Sequence, residues 1–138
     1  MVQAEDFVYT TRIREHQLDS FGHVNNAVYL QLFEEARWEL LSEQGYGIEV
    51  IQETQQGPVI LEVQMKFKRE LRARDEITIH TQMLSYDKKI GVLRQSMFNK
   101  NQELCCEATF TFALFDMRAR RIVEPTGAWK KALGLEPS

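Results

Sequence analysis

The stretch from Leu18 to Leu41, LDSFGHVNNAVYLQLFEEARWELL, constrains this chain more than any other, because a cluster of polar loop residues runs directly into the longest apolar helix pattern in the sequence. Asp19, Gly22, His23, Asn25 and Asn26 crowd its first part, which is turn chemistry. From there the period changes. Tyr29, Leu32, Phe33, Ala36 and Leu40 recur at helical spacing, with Gln31, Glu35, Glu39 and Ser42 on the opposite side. A helix is therefore expected to begin near Asn26, with Asn25 or Asn26 as N-cap, and to end at Gly45 and Gly47.

Most of the remaining chain reads as strand and turn. Phe7 to Glu15 is rich in β-branched and aromatic residues and gives a first strand. After a break at Gly57-Pro58, Val59, Leu61, Val63, Met65 and Phe67 alternate with Ile60, Glu62, Gln64, Lys66 and Lys68, which predicts a strand with one face packed on the helix. Glu76 to Ser85 puts Ile77, Ile79, Thr81 and Met83 on one side. Ile90 to Asn99 and Glu103 to Asp116 follow as strands, separated by turns at 86–89 and 100–102. Short turns between consecutive strands favour an antiparallel sheet. Ile122-Val123 is a short further segment, and Thr126 caps a last helix, Gly127 to Leu133, expected on the surface. Leu30 and Leu41 lie off the main apolar stripe, so the long helix needs cover on more than one side. The expected class is α+β, one domain over residues 1–138, with an antiparallel sheet curled around the central helix.

Charge and cysteine usage narrow the function. A net charge of -3 argues against nucleic acid or an anionic membrane as the main partner. Met1 to Asp6 carries two acids and no leader-like apolar core, and no run approaches the ~20 apolar residues of a membrane span, so the expected location is the cytoplasm. Cys105 and Cys106 are adjacent in a strand-like run and lack metal spacing, which fits reduced packing residues. His16, Asp19 and His23 have metal-binding side chains but no dependable ligand spacing, and neither a metal nor a cofactor is expected.

Chemically, a helix start behind a carboxylate and a histidine suits an acyl carbonyl. Unpaired first-turn N–H groups and the positive end of the helix dipole favour an oxyanion, while Asp19 is placed to attack or to activate water. The same residues also suit a plain turn, with Asp19 in an Asx-type bond and Asn26 as a cap.

The run D-x-x-G-H-V-N-N-x-x-Y-L-x-x-F-E-E-A-R-W resembles the hotdog-fold acyl-CoA thioesterases of the 4-hydroxybenzoyl-CoA thioesterase-like family, nearest the bacterial long-chain branch. The segment Met65 to Asp75 resembles the family's second strand and following turn, with Leu71 where relatives often have proline. The resemblance implies a catalytic carboxylate at Asp19, nucleophile or general base, and an oxyanion donor in the backbone N–H near Asn26. His23 is similar to the histidine of plant acyl carrier protein thioesterases, although Phe21 stands where those enzymes have asparagine. Gly22, Val24, Asn25 and Tyr29 are implied around the substrate. The implied partner is an acyl-CoA bound across the boundary of a homodimer or homotetramer.

Other readings stand beside these. A hotdog hydratase or dehydratase, or a non-catalytic binder of acyl-CoA or acyl carrier protein, would use the same fold. Glu34 and Glu35, on the helix where another thioesterase branch places its glutamate, are read as structural or as supporting the residues that touch substrate. Arg37 falls on the apolar part of the helical wheel and needs a partner, for which Glu34, three residues earlier, is the expectation. Lys88-Lys89, Arg72 with Arg74, and Arg118 with Arg120-Arg121 are the basic groups able to meet phosphates.

Overall fold

The computed structural model describes residues 7–135; Met1 to Asp6, read above for a leader, lie outside it. A first strand β1 (Phe7–Arg12) leads through a short 3-10 turn into the central helix α1 (Asn26–Glu43). A second helix α2 (Ile48–Thr54) follows, then β2 (Gln56–Phe67), β3 (Glu76–Asp87), β4 (Ile90–Asn99), β5 (Leu104–Asp116), β6 (Arg121–Val123) and α3 (Gly127–Ala132). The strands form one antiparallel sheet in the order β1-β3-β4-β5-β2, with β6 paired to β5.

The sheet wraps α1 as the pattern demanded. Tyr29, Leu32, Phe33, Ala36 and Leu41 are buried on the helix. Ile77, Ile79, Thr81 and Met83 of β3 meet them, alternating with more exposed neighbours. Phe110 of β5 packs edge-on to Phe33, with ring centroids 6.1 Å apart. Both cysteines are free and buried in the core. No helix among the described residues is long and apolar enough to cross a membrane.

Three local expectations change. β2 begins at Gln56, so Gly57-Pro58 lies within the strand instead of breaking the chain before it. As an edge strand with a register shift between Ile60 and Glu62, β2 leaves Ile60, Leu61, Val63 and Phe67 exposed, and its apolar face is not covered within one chain. α3 is not a surface helix: Trp129 is buried, stacks edge-on against Tyr46 at 5.0 Å, and donates from its indole N–H to the Tyr86 hydroxyl at 3.1 Å. A six-residue segment gives little periodicity to read, and one indole decides its packing.

Arg37 is the third. Its guanidinium donates from Nη1 to Gln95 Oε1 at 2.9 Å and lies 4.3 Å over the Phe110 ring, with Glu34 acting on it only as a nearby charge. The wheel placed Arg37 inward correctly but could not show that a fully buried glutamine on β4 would meet it.

Candidate functional site

The loop ahead of α1 is built by Asp19. Its Oδ1 accepts from the backbone N–H groups of Phe21 at 2.9 Å and His23 at 3.0 Å, while its carbonyl accepts from Gly22 N–H at 3.0 Å. Gly22 sits at φ +79°, a conformation that costs glycine nothing and most other residues strain. The loop is closed by Asp19 N–H donating to the His23 carbonyl at 2.9 Å and by a bridge between Leu18 and Val24. The N–H groups of His23 and then Phe21 hold the Asp19 carboxyl below its ordinary pKa, so the exposed group is an anion at neutral pH.

Asn25 then caps the helix. Its side chain accepts from Ala27 N–H at 2.9 Å, and its carbonyl accepts from Val28 N–H at 2.9 Å. Both acceptors pass over Asn26, whose backbone N–H has no acceptor among the described residues. The first turn thus presents the Asn26 N–H as a free donor, at the positive end of an eighteen-residue helix and three residues beyond His23.

His23 is exposed and its Nε2 lies 3.3 Å from Oε1 of Glu70, in the loop between β2 and β3. That loop is tied to β5 by Lys68 and Arg69, whose backbone N–H groups both donate to the Cys105 carbonyl, and Leu71 buries beneath it. Glu70 was not singled out in the sequence: it sits far from the HVNN run, and only the pairing of β2 with β5 returns it to the loop. The local signal was an isolated acid in a basic stretch, KRELRAR.

The expected site residues separate into two layers. Asp19, Gly22, His23, Asn25 and Asn26 are exposed together in the loop and first turn. Val24 and Tyr29 are buried beneath them, Tyr29 edge-on to Phe67 of β2 at 5.2 Å. Burial, foremost among the causes, raises the Tyr29 hydroxyl pKa, so it stays neutral. Among the basic groups, Arg74 is bound to Glu15 at 2.9 Å and Arg120 lies over Phe115. Lys88 and Lys89 form the β3–β4 turn. No group of three or more His, Cys, Asp or Glu among the described residues is disposed to hold a metal ion.

A second feature lies farther along α1. Arg37, Trp38 and Leu41 of the helix, with Pro58, Leu93 and Trp129 from the sheet and α3, enclose part of a cavity of about 130 Å³.

A sequence profile for the thioesterase-like superfamily matches residues 13–133, nearly the whole chain, including the loop, α1 and the sheet. The chain belongs to the thioesterase-like superfamily. This superfamily member is a thioester hydrolase. The long-chain acyl-CoA thioesterase FadM of Escherichia coli K12 is 27% identical to it over 123 residues, spanning 88% of this chain and 92% of FadM. Among solved structures, the Staphylococcus aureus protein SAV2348 in complex with CoA superposes with a TM-score of 0.87 at 16% identity, covering 100% of this chain and 89% of that one. Slr0204, a 1,4-dihydroxy-2-naphthoyl-CoA thioesterase from Synechocystis, gives a TM-score of 0.85 at 14% identity, with 94% and 96% covered. At those identities the two structures establish the hotdog fold, a sheet wrapped on a central helix.

Proposed function

We propose that this thioester hydrolase is a cytoplasmic acyl-CoA thioesterase in which Asp19 activates water or attacks the thioester carbonyl and Asn26 N–H receives the developing oxyanion. The observation that carries the reading is the free Asn26 N–H: the cap takes up the N–H groups of Ala27 and Val28 and leaves that donor open beside an ionised carboxylate loop. A preorganised donor of this kind typically contributes ~3 kcal/mol to the transition state. Since Asp19 Oδ1 is engaged by the loop, Oδ2 is the oxygen that acts. As nucleophile it would displace CoA thiolate to give a mixed anhydride, which water then hydrolyses; as base it would take a proton from attacking water. His23, oriented by Glu70, assists proton movement at the leaving thiolate.

Acyl-CoA as substrate rests on the likeness to FadM. The exposed apolar side chains of β2 support a homodimer in which that edge pairs with a second copy, and a tetramer would assemble from such dimers.

The test compares free-thiol release from acyl-CoAs by the native protein and Asp19→Asn. Asparagine keeps the Oδ1 acceptor, so the loop is retained while the charge is lost. A fall in kcat of about 100-fold or more is expected. Unchanged turnover would remove Asp19 from the chemistry.

A further inference from the structure

The cavity beside α1 is apolar except where Glu34, Arg37 and Thr81 line it. Gln95, fully buried on β4, organises Arg37 and Thr81: its Nε2 donates to the Phe33 carbonyl at 3.0 Å and to Thr81 Oγ1 at 2.9 Å, and its Oε1 accepts from Arg37. Both of its amide hydrogens are committed, and its oxygen holds Arg37. Because Thr81 accepts from Gln95, its own O–H points elsewhere; Thr81 lines the cavity.

Arg37 has donors to spare. A guanidinium carries five N–H groups, and this one has a single hydrogen bond among those formed by the described residues. No buried side-chain nitrogen among them lacks a partner, so the remaining nitrogens of this largely buried group are in open space, and Arg37 lines the cavity. Glu34, exposed at the same wall, is a carboxylate acceptor. A hydroxyl fits this pair, accepting from Arg37 and donating to Glu34. A carboxylate would meet the like charge of Glu34, and a methyl terminus would leave the cation unsolvated.

Position sets the length of the ligand. Arg37 follows Asn26 by eleven residues on one continuous helix, which at ~1.5 Å each places it about 17 Å along the axis. A hydroxyl on an aromatic ring bonded directly to the thioester carbonyl does not reach that far. The cavity, about 130 Å³, is close to the ~150 Å³ that accommodates a benzene, enough for the end of a chain.

We infer that the cavity bounded by Arg37, Thr81 and Glu34 receives the distal end of a long acyl chain bearing an uncharged hydroxyl, making Arg37 a specificity-determining residue for ω-hydroxyacyl thioesters. The inference rests on the acyl-CoA reading above and adds the class of acyl group.

The test measures kcat/KM of the native protein for an acyl-CoA, its ω-hydroxy counterpart and its ω-carboxy counterpart of equal chain length, together with 4-hydroxybenzoyl-CoA. The ω-hydroxy substrate is expected to exceed the plain one by about tenfold, as a hydrogen bond to a charged donor allows, and to exceed the ω-carboxy one. Arg37→Met should erase the preference, and Arg37→Lys should restore part of it. Equal rates for the three chains in the native protein would overturn the inference, and a measurement without any variant suffices for that. A preference for 4-hydroxybenzoyl-CoA that depends on Arg37 would overturn its distal placement. Loss of assembly in Arg37→Met with no preference in the native protein would assign Arg37 to the subunit interface. Absence of hydrolysis on every CoA ester would instead refute the acyl-CoA reading itself.

Discussion

Replacing Gln95 by leucine tests how far one buried amide holds the sheet to the helix. The substitution keeps the volume nearly constant and removes three hydrogen bonds, to Phe33, Thr81 and Arg37. Their losses are unequal. The Phe33 carbonyl is in mid-helix and keeps its bond to the N–H four residues on, and the Thr81 hydroxyl can rotate toward the cavity, so each loss costs up to about 1 kcal/mol. Arg37 loses its acceptor while remaining largely buried over Phe110, a bond to a charged group that contributes ~1.5–3 kcal/mol. Burial of leucine in place of the amide offsets part of this. A net destabilisation of about 3 kcal/mol follows, or roughly 10 °C in Tm for a domain this size. Thermal denaturation at one fixed protein concentration reads it, since association would otherwise shift Tm by mass action. Gln95→Glu retains the acceptor for Arg37 and should cost less than leucine. A leucine variant within ~1 kcal/mol of the native protein would refute the view that the amide anchors the guanidinium.

Two further outcomes follow from other parts of the molecule. Gly91→Ala puts a Cβ 2.5 Å from Phe112 Cζ, inside the core and one strand away; overpacking of this kind costs about 1–3 kcal/mol, and urea unfolding showing no loss would mean the ring moves freely. For pH, the folded-state pKa of Asp19 is depressed by the His23 and Phe21 N–H groups, so the active anion persists as pH falls and disappears only below the ordinary carboxylate range. The acid limb of kcat against pH is expected there, and one centred above about pH 5 in a protein still folded would belong to another group.

The legible parts of this chain were those where one period ran long enough to dominate. Alternation across Ile77, Ile79, Thr81 and Met83 placed the inner face of β3 correctly, and the stripe from Tyr29 to Ala36 placed the buried face of α1. A cap at Asn25 or Asn26 was readable from an amide ahead of an apolar run, and the structure selects Asn25. Short or non-local features were not. α2 spans seven residues after Gly47, whose N-cap has no side-chain hydrogen bond, and its sequence IEVIQET gave no start signal. Glu70 and Gln95 take their roles from strand pairings that bring distant segments together, Thr81 opposite Gln95 across β3 and β4 among them. β2 read as one alternating face from Val59 to Phe67, but the register shift between Ile60 and Glu62 breaks that face and puts Pro58 and Ile60 on the side of Val63, Met65 and Phe67; neither the shift nor the edge position is contained in the pattern.

That edge position links packing to chemistry. A strand with exposed Ile60, Leu61 and Val63 gains by pairing with another chain, and the same strand carries Phe67 against Tyr29 under the loop and Pro58 at the cavity wall. One element therefore borders both the loop end of α1 and the cavity farther along it. The spacing between the Asn26 donor and Arg37 is fixed by the continuous helix between them; what a partner ordering β2 would fix is the wall facing that helix, Phe67 at one end and Pro58 and Ile60 at the other. Chain-length preference and assembly should consequently change together: a charge at Val63, on the exposed edge and away from the groups assigned to catalysis, should weaken association and broaden the accepted chain lengths in the same variant.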